Sequence, residues 1–125
     1  MVHMTNWEII VIDDGIKVLT IRKFRKDGKM PFKIGSKLIL KTNGFFSKER
    51  YGQIEILDAE IKPLGEMTLE DAKNGGYNTI QEYLDEQMGE FNSDCDLNTE
   101  MIFYRFKVLW MDAELVNQLR KKAEN

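Results

Sequence analysis

Apolar and polar positions fall into short blocks divided by turn signals. Residues 7–12, WEIIVI, are rich in β-branched side chains and predict a strand, with a short helix over 7–13 as the alternative. Asp13-Asp14-Gly15 reads as a turn, and 16–24, IKVLTIRKF, as a second strand able to pair with the first. A polar loop at 25–32 carries Asp27-Gly28 and Pro31. Residues 36–42, SKLILKT, alternate like a half-buried strand, and Asn43-Gly44 opens the loop that follows. Residues 51–61 predict a longer strand through Ile54 and Ile56, with Pro63 near its end.

The period then changes. Thr68 caps a helix with Asp71 in its first turn, and Gly75-Gly76 ends it. A second helix runs from Asn78 or Thr79 to about Gly89, with Ile80 and Leu84 on one face. After a loop at 92–99, residues 100–110, EMIFYRFKVLW, form the strongest strand pattern. Asp112 then caps a C-terminal helix over 112–124, with Leu115 and Leu119 as its apolar stripe and Lys121-Lys122 at its dipole-favoured end. Strands followed by helices, one further strand and one further helix predict an α+β fold with a mostly antiparallel sheet. Short strands joined by turns favour a small β-barrel that closes its own edges, with helices at its periphery. A length of 125 residues without repeat or linker reads as one domain, 1–125.

Charge and composition narrow the chemistry. A formal net charge of -3 argues against broad, non-specific phosphate binding. One cysteine, Cys95, allows no internal disulfide, and no apolar run spans a bilayer or resembles a leader, so a cytoplasmic protein is expected. The one histidine, His3, sits at the terminus, which disfavours Ser-His-Asp, Cys-His and zinc chemistry; no metal or cofactor is expected. Any chemistry falls to Lys, Arg, Asp, Glu, Thr, Ser or Tyr.

The segment Gly15-Ile-Lys17-Val-Leu-Thr20-Ile-Arg22 reads G-x-K-x-x-T-x-R. It resembles the motif of the ASCH family, a branch of the PUA-like RNA-associated β-barrels, in which Glu stands where this chain has Thr20. FKIGSKLIL at 32–40, GQIEIL at 52–57 and FKVLW at 106–110 are similar to that family's following strands. The resemblance covers about residues 15–110. The Thr variant is similar to the branch of small amidohydrolases that remove the acetyl group from N4-acetylcytidine. That resemblance implies a site of Lys17, Thr20 and Glu82, the last in the context Thr79-Ile-Gln-Glu82-Tyr, with Arg22 binding substrate. Longer loops at 25–31 and 43–50 and the added C-terminal helix depart from the family pattern.

The implied reaction needs a nucleophile, a proton acceptor and a stabiliser for the oxyanion. Thr20 serves as nucleophile or positions a water. Lys17 acts as base only if its pKa falls from about 10.4 toward 7; otherwise it is an oxyanion partner. On a regular strand Thr20 and Arg22 share a face and Lys17 does not, so a turn or bulge must re-aim it. Each residue also has a plainer reading. Thr79-x-x-Glu82 is a capping box, Thr20 a strand former, and Lys17 and Arg22 solvated charges. Tyr104 is left by alternation as a platform for a base, beside core residues Phe103 and Phe106. Asp94-Cys95-Asp96 reads as a solvated turn before a metal site. Lys23, Arg25, Lys26 and Lys29 form a basic cluster fit for phosphate or for plain solubility. Two functions follow: an amidohydrolase whose partner is a modified nucleoside, or a non-catalytic RNA-binding module. A third is a protein-interaction domain using the C-terminal helix.

Overall fold

The structure, a computed structural model, describes residues 1–24, 27, 28, 30–42, 48–89 and 94–123. The elements in chain order are β1 (Val2–Met4), α1 (Asn6–Asp13), β2 (Leu19–Lys23), β3 (Lys37–Thr42) and β4 (Gly52–Pro63). A 3-10 turn (Leu64–Glu66), α2 (Leu69–Asn74), α3 (Ile80–Gln87), β5 (Glu100–Met111) and α4 (Ala113–Ala123) complete the chain.

The segment 7–12 is a helix, not a strand. Thr5 Oγ1 accepts from Glu8 N at 3.1 Å, and Glu8 Oε1 accepts from Thr5 N at 3.0 Å, a complete capping box. Four consecutive β-branched residues weaken a helix by about 1–2 kcal/mol in all. Burying Ile9 and Ile12 completely outweighs that, at about 1.5–3 kcal/mol each. The second helical pair follows the predicted capping: Thr68 and Asp71 form a full box on α2, and Thr79 Oγ1 caps α3. On α3 the buried residue is Tyr83, with Ile80 and Leu84 half-buried beside it. On α4, capped by Asp112, Val116 and Leu119 are buried and Leu115 half-buried. Arg120 ties α4 to the end of α1 through Asp13 and Asp14, at 2.8 and 2.7 Å.

The sheet runs β1-β3-β4-β5-β2, antiparallel throughout except for the β1–β3 pair. β5 lies between β4 and β2, and both of its faces are covered. Ile102, Tyr104 and Phe106 enter one apolar cluster with Ile9, Ile12 and Val116; Met101 and Phe103 enter a second with Leu19, Ile21 and Tyr83. Two register irregularities between β4 and β5, at Gln53/Ile54 and Ile56/Asp58, sharpen the local twist.

The predicted barrel does not close. β1 and β2 are the two edges, and among the described residues they do not pair. A flat sheet of five strands would hold its edges about 19 Å apart. Here Arg22 on β2 donates from Nη2 to His3 O on β1 at 3.3 Å, so the sheet curls until one side chain spans the opening. Among the described residues no helix is long and apolar enough to cross a membrane.

Candidate functional site

Lys17 owes its position to the turn before β2. Gly15 takes a φ of 77°, and the amides of Ile16 and Lys17 both donate to Val11 O, at 3.0 and 3.1 Å. Val18 N donates to Asn74 O at 2.7 Å, and β2 begins only at Leu19. Lys17 therefore precedes the strand, and alternation does not set its direction. Its side chain is 2% exposed. Nζ donates to Gly75 O at 3.1 Å, lies 3.7 Å from Glu8 Oε2 and stands 5.5 Å from the centre of the Tyr83 ring. Burial draws its pKa from 10.5 down to about 8; Glu8 opposes that fall and Arg22 adds to it.

Thr20 and Arg22 share a face of β2, as alternation requires. Arg22 Nη1 donates to Thr20 Oγ1 at 2.7 Å and to Ile21 O at 2.9 Å. A guanidinium at this distance places a fixed positive charge on the hydroxyl oxygen and favours any negative charge that develops there. The Arg22 side chain also lies over the Phe32 ring, 5.7 Å from its centre.

An aromatic wall faces these groups. Tyr77 stacks on Tyr83 with ring centres 4.4 Å apart and tilts against Trp7 at 5.3 Å. Burial raises the pKa of both tyrosines, so both hydroxyls stay protonated. The glycines that end α2 make room for the wall. A Cβ on Gly75 would stand 2.1 Å from Tyr83 Cε2, and one on Gly76 3.2 Å from Trp7 Cη2. Gly75 thus does three jobs: it ends the helix, admits Tyr83 and offers its carbonyl to Lys17.

Trp7, Glu8, Lys17, Thr20, Arg22, Tyr77 and Tyr83 line one cleft of about 230 Å³, open to solvent, at the β2 edge between α1 and α3. That volume lies at the small end of ligand-binding pockets. Of the residues read as site candidates, Lys17, Thr20, Arg22 and Lys23 line it, Lys23 at its exposed rim. Glu82 does not: its side chain is exposed on α3, and Thr79 Oγ1 accepts from its backbone N at 3.1 Å. The carboxylates lining the cleft are Glu8, from the α1 cap, and Glu86, one turn beyond Glu82. Tyr104 is no platform either. It is fully buried because β5 is covered on both faces, and its hydroxyl pairs with the backbone N and O of Phe32, at 3.2 Å each. Lys23 reaches the rim and pairs with Asp94; Arg25, Lys26 and Lys29 lie outside the described residues. Cys95 is buried, and Asp96 closes a turn onto Asn98 N and Thr99 Oγ1. Among the described residues no three His, Cys, Asp or Glu side chains form a metal-binding group.

Sequence reasoning missed Trp7, Glu8, Tyr77, Tyr83 and Glu86. A signal existed for the first two: Thr5-x-x-Glu8 is the same capping pattern that marks Thr68 and Thr79. Nothing local marks the others, since α3 and the turn between α2 and α3 bring them to the cleft.

An open curled sheet with helices on both faces and a cleft at one edge makes this an α+β fold. More particularly, the chain has the fold of ASCH domains. It superposes on an ASCH domain from Lactobacillus crispatus JV V101 with a TM-score of 0.70 at 15% identity, over 82% of this chain and 70% of that one. It superposes on protein EF3133 of Enterococcus faecalis V583, from the DUF984 family, with a TM-score of 0.65 at 16% identity, over 86% and 73%. The hypothetical protein PH0355 gives 0.61 at 14% identity, over 86% and 95%. No protein-family model matches the sequence, and no curated protein does.

Proposed function

We propose that the protein hydrolyses the acyl amide of a modified nucleoside such as N4-acetylcytidine. The observation that carries this reading is the meeting of Lys17, Thr20 and Arg22 in one cleft, with the Lys17 ammonium weakened to about 8. A lysine with that pKa is about half neutral at pH 8 and about a tenth neutral at pH 7, enough to act as a base.

The neutral Lys17 amine takes the Thr20 hydroxyl proton as Thr20 Oγ bonds to the acyl carbon. The carbonyl electrons move onto oxygen, where Arg22 and the newly formed Lys17 ammonium offset the charge. Collapse breaks the carbon–nitrogen bond, and Lys17 returns its proton to the departing exocyclic nitrogen of the base. Water then hydrolyses the acyl-threonine ester, releasing the carboxylic acid and restoring the hydroxyl. Glu8, in place of the expected Glu82, is the carboxylate that pairs with Lys17 among the described residues and holds its ammonium between proton transfers.

Incubation with N4-acetylcytidine, followed by chromatography for cytidine and acetate, tests the reading. Turnover is expected, with loss in Lys17→Ala and Thr20→Val and an acetylated Thr20 peptide trapped early in the reaction. Absence of turnover, or full activity in Lys17→Ala, rejects it.

A further inference from the structure

Trp7 leaves a large indole 43% exposed at the mouth of the cleft, although the sheet offers two apolar clusters in which it could be buried. It is nonetheless held firmly. Its position in the first turn of α1 is set by the Thr5–Glu8 box, one edge meets Tyr77, and its Cη2 packs onto the bare backbone of Gly76. Tyr77 is backed in turn by the buried Tyr83. The result is a braced flat surface, wet on one side. Its neighbour in sequence, Glu8, reaches Lys17 Nζ at 3.7 Å, so surface and reactive groups belong to one site.

We infer that Trp7, braced by Tyr77, is the shelf on which the substrate's planar heteroaromatic base stacks, directing its acylamino group inward to Lys17 and Thr20. This rests on the hydrolase reading above and deepens it by assigning the base a subsite. The charges in the cleft select the ligand class. Lys17, Arg22 and Lys23 outnumber Glu8 and Glu86 in the lining, which disfavours the common alternative of an ammonium group on an aromatic face. A neutral, electron-poor ring meets no such penalty, and its acyl oxygen gains from Lys17 and Arg22. Gln87 and Glu86 line the same cleft and supply polar groups for the ring's edge. An exposed indole held rigid binds such a ring at small entropic cost.

The test uses Trp110→Phe, which leaves Trp7 as the one tryptophan; Trp110 lies on β5 outside the cleft, bonded to Gln53 at 3.1 Å. Emission is followed while cytidine, and then N4-acetylcytidine with Lys17→Ala, is titrated in. Saturable quenching is expected with both. In the otherwise native protein, Trp7→Leu should raise KM about tenfold, the scale of one lost base–aromatic stack, with kcat little changed, and Trp7→Phe should recover part of the loss. Circular dichroism of each variant checks that α1 persists. Turnover that saturates while Trp7 emission stays constant, or an unchanged KM in folded Trp7→Leu, overturns the shelf and leaves the hydrolase reading intact. Quenching without turnover upholds the shelf and removes the hydrolase. Neither quenching nor turnover ends both.

Discussion

Glu8→Gln separates the two tasks of one side chain. Oε1 accepts from Thr5 N at 3.0 Å, and Oε2 lies 3.7 Å from Lys17 Nζ. Glutamine keeps an oxygen for the cap, so α1 should form normally, but it removes the negative charge. A unit pair at this distance interacts by about 1 kcal/mol in a water-like medium and about 4.5 kcal/mol at an effective dielectric of 20. Lys17 is 2% and Glu8 21% exposed, which places the pair between those limits. At about 1.4 kcal/mol per pH unit, the Lys17 pKa should fall from about 8 by one to three pH units. The groups remaining around it, Arg22, Glu86 and the protonated Tyr77 and Tyr83, are unchanged by the substitution. Nuclear magnetic resonance of labelled lysine, assigned through Lys17→Arg, would follow the titration directly. The rising limb of kcat/KM against pH should move acidward with it. A midpoint that stays in place, or moves alkaline, refutes the coupling; so does a loss of more than about 1 kcal/mol of stability at about pH 10, where Lys17 is already neutral in the folded protein, which would make Glu8 chiefly a structural residue.

Lys17→Met should abolish turnover and change how stability depends on pH. The folded-state pKa of about 8 lies below the ordinary 10.5, so the unfolded chain binds more protons between these values and stability rises with pH across that window. Urea unfolding should show a gain of up to about 3 kcal/mol from pH 7.5 to 10 in the native protein and a flatter profile in the variant. Tyr104→Phe removes a buried hydroxyl bonded to both backbone groups of Phe32 and should cost about 1–3 kcal/mol with kcat retained; a selective rise in KM would restore a binding role to Tyr104. Glu82→Gln should leave kcat/KM within about twofold, and a loss comparable to that in Lys17→Ala would return the catalytic carboxylate to α3.

Much of the architecture was legible because its cues are local. Alternation in 36–42 and 100–110 marks β3 and β5, and Thr68 and Thr79 mark their helices through single hydrogen bonds. The sequence offers both strand and helix for α1, because four β-branched residues oppose a four-residue capping pattern; which prevails depends on what Ile9 and Ile12 pack against, and that is tertiary information. The open barrel was hidden for the same reason, since edge pairing depends on curl summed over five strands. In the candidate cleft, the meeting of Lys17, Thr20 and Arg22 was legible from their motif. The absence of Glu82 from its lining was not: both Glu8 and Glu82 follow a capping threonine by three residues, and only the packing of α1 beside Lys17 distinguishes them.

Arg22 fastens the two margins of the sheet and polarises Thr20 with the same guanidinium. On the proposed hydrolase reading, scaffold and reagent are fused at one position, and a substitution there would also loosen the seam. On the same reading, adaptation to a new substrate would be steered to cleft residues that make no contact across the sheet's opening, Trp7, Tyr77 and Glu86. A laboratory library restricted to those three positions should therefore yield a larger share of folded variants than one that also randomises Arg22.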